Sequence, residues 1–220
     1  MLRLDVYTEV VSSSSCPCPL TILFGDRHLL LANVEECGVT CDWRRVALPW
    51  DAPPTMKLAA ACSTPHGTRL AVCGAAGRVL MCTLPREQTS PLTWQDLPSG
   101  EGATERMAVV ALHWVNDDHL LLVGAAGPGS LELRAQVVAA ATAETVAQAS
   151  LPQRASLLCS CVVAAPDGAR LITCADDPTL GVLIVCITAL QTGGGVGGAV
   201  SFDPLHFFRL PPGSSPPTAV

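Results

Sequence analysis

Three acidic doublets, Glu35-Glu36, Asp117-Asp118 and Asp176-Asp177, are the groups in this 220-residue chain that most readily suggest acid–base work. Two carboxylates divide acid and base roles only where their surroundings push their pKa values apart. Each doublet falls in an expected turn, where solvated acids are the ordinary case. The five histidines (His28, His66, His113, His119, His206) include no HxH or HExxH spacing. His28, His66 and His119 occupy near-equivalent turn positions, which points to repeat geometry rather than ligation. "CPC" (Cys16, Cys18) and "CGVTC" (Cys37, Cys41) are the paired spacings worth testing as zinc ligands. A structural zinc site commonly has two to four residues inside each pair. The second pair fits and the first is too tight. Cys62, Cys73, Cys82, Cys174 and Cys186 lie inside apolar runs and read as buried, reduced thiols.

"GGGVGG" satisfies G-x-G-x-x-G through Gly193, Gly195 and Gly198. A dinucleotide site also needs a helix starting there and an acid about 20 residues on. Here "AVSFDP" and a Ser/Pro tail follow, so the glycines read as a linker. There is no Lys-Ser/Thr for a phosphate loop, and Ser12 to Ser15 have no nucleophile elbow around them. The sequence thus assigns no catalytic residue, no cofactor and no metal, and the expectation is a protein that is not an enzyme.

Composition limits the partners. Hydrophobic residues make up 49% and charged residues 15%, below the roughly quarter that an average soluble protein carries. The core material is ample, and few charges remain to solvate a surface. Lys57 is the single lysine, net charge is -6, and the Arg44-Arg45 pair is the nearest thing to a basic cluster. Binding phosphates needs several cations on one face, so no direct nucleic-acid partner is expected. The longest apolar run, "LGVLIVCITAL", is about half the ~20 residues of a spanning helix, so no membrane insertion is expected. The N-terminus lacks the apolar core of a secretory signal. A cytoplasmic or nuclear location follows as an expectation.

The elements that must position these residues come from a repeat. "GDRHLLLANV" begins at Gly25, "HGTRLAVCGA" at His66, "NDDHLLLVGA" at Asn116 and "DGARLITCAD" at Asp167. Their anchoring leucines, Leu29, Leu70, Leu120 and Leu171, are spaced by 41, 50 and 51 residues. Each copy is a turn, a basic residue or histidine, then four or five apolar residues ending at a small one. A period of 40 to 50 residues marks a repeat architecture. The flanking runs, such as "MAVVALHWV" and "SLLCSCVVAAP", are short and bounded by turn residues, as buried strands are. One stretch, Leu133 to Leu151, is alanine-rich and helical by propensity. Two strands, "LELRAQVV" and "ETVAQASL", are favoured there because a fourth strand is due in the unit.

The phrases from Trp114 to Ala125 and from Val163 to Asp176 resemble the start of a WD repeat: an apolar strand end, a Pro-Asp-Gly-like turn, and a second strand closing on small residues. The resemblance covers roughly residues 20 to 210. None of the four phrases ends in the Trp-Asp dipeptide or opens with Gly-His, and Gly77 and Gly129 stand where the family has a tight-turn aspartate. The resemblance implies an all-β fold, a β-propeller-like stack of about four antiparallel blades, each apolar on both sides.

Four is the low end of the four to eight blades of propellers, so the stack is read as incomplete. "AVSFDPLHFFRL" reads as the first strand of a further blade, which would leave Phe202, Phe207 and Phe208 exposed; the alternative is that they fold back to cover the last blade. The expected organisation is an N-terminal segment 1–19 that can supply a strand, blades over 20–210, and a disordered Pro/Ser tail over 211–220. The expected function is a non-catalytic protein–protein interaction scaffold or adaptor in a multiprotein complex, with other proteins as partners. An accessory propeller supporting a catalytic partner is the alternative, as is a fragment that another chain completes. Self-association through an open blade edge is a third expectation. Arg44, Arg45, Trp50, Asp117, Asp118, Asp176 and Asp177 are the candidate partner contacts, because binding residues concentrate on loops held by a rigid scaffold.

Overall fold

The computed structural model describes residues 6–8, 18–24, 28–34, 41–47, 56–64, 67–74, 78–85, 92–97, 107–127, 129–192 and 200–210. Among them every regular element is a strand, sixteen in all. The chain divides into two compact units, Met1–Pro98 and Ser99–Val220.

The first unit holds two four-stranded sheets. β1 (Val6–Thr8), β2 (Cys18–Phe24), β3 (His28–Val34) and β4 (Cys41–Ala47) form one. β5 (Met56–Thr64), β6 (Gly67–Gly74), β7 (Val79–Pro85) and the two-residue β8 (Gln95–Asp96) form the other. The second unit also holds two. β9 (Ala108–Asn116), β10 (His119–Ala125), β11 (Glu132–Ala139) and β12 (Thr145–Arg154) make its first sheet. β13 (Ser156–Ala165), β14 (Gly168–Asp177), β15 (Val182–Thr192) and β16 (Val200–Leu210) make its second. Every sheet is an antiparallel meander in chain order. The fold class expected from the repeat is therefore the one observed.

Strand topology explains the uneven spacing of the repeat. The anchoring leucines lie on β3, β6, β10 and β14. Two strands separate β3 from β6, whereas three separate β6 from β10 and β10 from β14. Among the described residues the first sheet has no strand after β4, and it takes the short β1 on its other edge. One missing strand and its turn account for a first interval nine or ten residues shorter than the others.

The small residue that closes each apolar run also has a physical cause. Three sheets carry a register shift at one place in the repeat, leaving Lys57, Val110 and Leu158 as extra residues on their first strands. Each bulge lies opposite the third and fourth residues after the anchoring leucine, where the fourth is Gly74, Gly124 or Ala175. A bulge bends its strand toward its neighbour. A Cβ on Gly124 would lie 2.3 Å from the Ala108 carbonyl oxygen. At Gly124 the backbone leaves no room for a side chain.

The core of the second unit lies between its two sheets. Leu121, Val123, Leu133 and Val137 of the first meet Ala169, Leu171, Ala175 and Leu190 of the second. All are 4% exposed or less. Burying a leucine or valine fully is worth about 1.5–3 kcal/mol relative to leaving it in water. Trp114, on β9, is also buried, at 1% exposure.

Two expectations resolve here. Leu133 to Leu151 is not a helix: it spans parts of β11 and β12, joined by a turn in which Ala143 takes a φ of 61°. "AVSFDPLHFFRL" is not the first strand of a further blade: as β16 it pairs with β15 and completes the last sheet. Phe-Asp-Pro is no turn either. Pro204 sits within β16 beside a register shift, tolerated because an edge strand with a bulge does not need its N–H. Phe207 and Phe208 are 44% and 48% exposed, while Phe202 packs on the core. The glycine link at 193–198 and the tail at 211–220 lie outside the described residues.

Candidate functional site

The structure spreads the candidate contacts rather than gathering them. Arg44 and Arg45 fall within β4, opposite Leu31 and Leu30 of β3, instead of in a loop. Trp50 and the Glu35-Glu36 doublet lie outside the described residues. Asp117 and Asp118 form the tight turn between β9 and β10 and are exposed, as expected. Asp176 and Asp177 are half-buried at the end of β14 rather than in a turn. One doublet thus precedes the second strand of its sheet and the other closes it.

Two of these turns are held by side chains. Asn116 Oδ1 accepts the Asp118 backbone N–H at 2.9 Å and lies 3.0 Å from His119 Nδ1. An amide oxygen only accepts, so His119 carries its proton on Nδ1. His119 is 3% exposed. Burial pushes its pKa down, and the Asp118 charge opposes that in part. Asp177 Oδ1 accepts the N–H groups of Thr179 and Leu180, at 2.9 and 3.1 Å. That bond pattern makes Asp177 a builder of the β14–β15 turn. His119 and His28 both open the anchoring strand of their sheets, in keeping with repeat geometry.

Two polar bridges that the sequence did not announce join the sheets of the second unit. His113 Nε2 lies 2.7 Å from Ser160 Oγ, linking β9 to β13. Gln153 Nε2 donates to Thr173 Oγ1 at 2.7 Å, linking β12 to β14. His113, Gln153 and Thr173 are all buried. Nothing in residue spacing pairs positions 47 or 20 apart across two sheets; only the packing does. Arg170 makes a two-oxygen contact with Asp167 at 2.7 and 2.9 Å, which pins the β13–β14 turn.

Four of the described thiols behave as core residues, while Cys159 is half-buried and Cys161 exposed. Cys73, Cys82, Cys174 and Cys186 are buried. Burial pushes Cys82 up to about 12 and raises Cys174 and Cys186 as well. A thiolate is the reactive form, so these groups are poor nucleophiles at neutral pH. Of the proposed zinc pairs, Cys18 and Cys41 flank Val34 on its two neighbouring strands. Cys16 and Cys37 lie outside the described residues. Among those described, no three His, Cys, Asp or Glu gather as a metal site. No helix there is long and apolar enough to cross a membrane.

No protein-family model matches the chain, and no curated protein does. Among solved structures it is similar to the WD40 domain of SCAP from fission yeast. The TM-score is 0.54 at 10% identity, over 96% of this chain and 53% of that one. The likeness shows a WD40-like, propeller-like fold. The chain spans about half the length of the domain it matches. Each sheet of this chain is four-stranded and antiparallel, with the anchoring leucine on an inner strand.

Proposed function

We propose that the chain is a non-catalytic protein–protein interaction scaffold, an adaptor subunit of a multiprotein complex in the cytoplasm or nucleus. The observation that carries this reading is the likeness to a WD40 domain over nearly the whole chain. A stack of rigid sheets presents its connecting turns on a fixed frame, and recognition concentrates on such turns. The exposed Asp117-Asp118 turn is the best-supported contact, because its backbone is braced by Asn116 while its carboxylates face water. The buried thiols, with Cys82 held near 12, favour a packing role over nucleophilic chemistry.

Affinity purification of the tagged chain beside an Asp117→Arg/Asp118→Arg variant tests the proposal. The expected result is a stoichiometric partner retained by the parent and lost by the variant, with unchanged circular dichroism. Retention of that partner by the variant moves the contact elsewhere, and Arg44→Glu/Arg45→Glu is then the next pair to test. Failure to capture any stoichiometric partner removes the scaffold reading.

A further inference from the structure

The last sheet, β13 to β16, has one covered face and one open face, and the open face repeats the design of a covered one. Directly paired residues on neighbouring antiparallel strands share a face. Ala169, Leu171 and Ala175 of β14 turn toward the preceding sheet and are buried against it. Ile172, with its partners Ile187 on β15 and Cys161 on β13, therefore lies on the opposite face.

Aligning the repeats on Leu120 and Leu171 gives each residue of that open face a counterpart one sheet earlier. Through the pairings, Ile172 corresponds to Leu121, Ile187 to Val137, Val185 to Ala135 and Leu183 to Leu133. The four counterparts are 0–2% exposed, because the last sheet covers them. Ile172, Leu183, Val185 and Ile187 are only half-buried. On the same face Val163 is 42% and Phe208 48% exposed. The same pairings also place Arg170, Asp176 and His206 on this face, but its apolar residues on β14 and β15 match those of a sheet–sheet interface, and a face so patterned is built to be covered by a sheet.

We infer that the open face of the β13–β16 sheet docks a sheet of a second copy of this chain. Two observations select that occupant. The face continues an interface already present in the molecule, so its complement is a blade of the same repeat, and a second copy carries such blades. The chain also spans 53% of the WD40 domain it resembles, so two copies supply about the blade content of one such domain. In the repeat, Leu29 holds the position of Leu171, which makes the N-terminal sheet of the second copy the sequence counterpart of the covering sheet. The pairing concerns sheet faces and is separate from the turn contacts proposed above, so either stands if the other fails.

Light scattering on the purified full chain at micromolar concentration reads the answer. The expected mass is twice the 22.8 kDa of one chain. Ile187→Glu places a charge on the open face and is expected to weaken the dimer at least about 100-fold, with the circular dichroism spectrum of the monomer intact. Val163→Lys, on another strand of that face, serves the same purpose should the first variant fold poorly. A measurement without substitution runs beside them: maleimide labelling of Cys161, followed by peptide mass, is expected to slow at least about tenfold as the chain is concentrated through its dimer range. A monomer at every concentration overturns the inference and hands the face to a different partner. So does a dimer that ignores both substitutions and leaves Cys161 labelling unchanged.

Discussion

Gln153 Nε2 donates to Thr173 Oγ1 across 2.7 Å, tying the edge strand of one sheet to the second strand of the next. Both side chains are almost wholly buried, at 0% and 1% exposure. The same amide's Oε1 is buried with no hydrogen-bond partner. The pair is thus a polar contact inside an apolar interface, closed on one side and open on the other. Such a contact matters most when half of it is removed, because a stranded buried donor keeps its full desolvation cost.

Thr173→Val is expected to destabilise the chain by about 1–3 kcal/mol, since it leaves the Gln153 amide only its long 3.5 Å contact with the Thr173 carbonyl. Adding Gln153→Leu is expected to recover much of that loss, because both polar partners are then gone. Urea denaturation of the two single variants and the double variant gives the coupling directly. Additive losses would mean that the two residues act independently.

The bulge beside Gly124 yields a paired prediction. Gly124→Ala must displace the Ala108 carbonyl, which a Cβ would approach to 2.3 Å. Overpacking of this kind costs about 1–3 kcal/mol. Gly127, three residues on, has nothing within 4 Å of the same construction. Gly127→Ala is expected to change stability by less than about 0.5 kcal/mol. Denaturant midpoints of the two variants against the parent check the contrast, and equal losses would remove the bulge as the cause.

Much of this was legible beforehand because strands with turns between them repeat their pattern. The anchoring leucines, the small residue after each run and the strands over Leu133 to Leu151 follow from period and turn chemistry alone. The turn of Asp117-Asp118 was equally plain. What escaped depends on pairing. "Phe-Asp-Pro" looks like a turn in sequence, and only its register against β15 makes it a strand with a bulge. β8 is two exposed polar residues, Gln95 and Asp96, with no apolar alternation to reveal it. The His113–Ser160 and Gln153–Thr173 bridges join residues that come together only when two sheets pack. Asp177 looked like a surface acid, and its turn-building bonds need the backbone of Thr179 and Leu180 in place.

Thiol chemistry separates core from surface. Burial holds the Cys82 thiol near 12, so at pH 8 its thiolate is scarce as well as shielded. Alkylation of Cys82 is expected to proceed only as fast as the chain unfolds, while added urea accelerates it. Peptide mapping after timed iodoacetamide treatment measures this. Rapid labelling of Cys82 in the native protein would mean that its sheet opens locally.

Acid is expected to weaken the fold through His119. Burial lowers its pKa in the folded chain below the value of about 6.5 that an unfolded histidine has. Between those two values the unfolded state binds more protons, so stability rises with pH across that window. The contribution is therefore complete above the unfolded pKa and is lost as pH falls through the window toward the folded one. The Nδ1 proton already serves Asn116 Oδ1 in the neutral form, so protonation adds a charge at the buried ring without adding that bond. Thermal melts of the parent from pH 7.5 to pH 5.5 should show a falling Tm. His119→Gln, which cannot take up a proton, should flatten that slope even if its Tm at pH 7.5 is lower. Parallel slopes in parent and variant would remove His119 as the source, because Asp167 beside Arg170 and Glu132 beside Ser150 and Arg134, whose pKa values those partners hold down, lose their contribution only at lower pH.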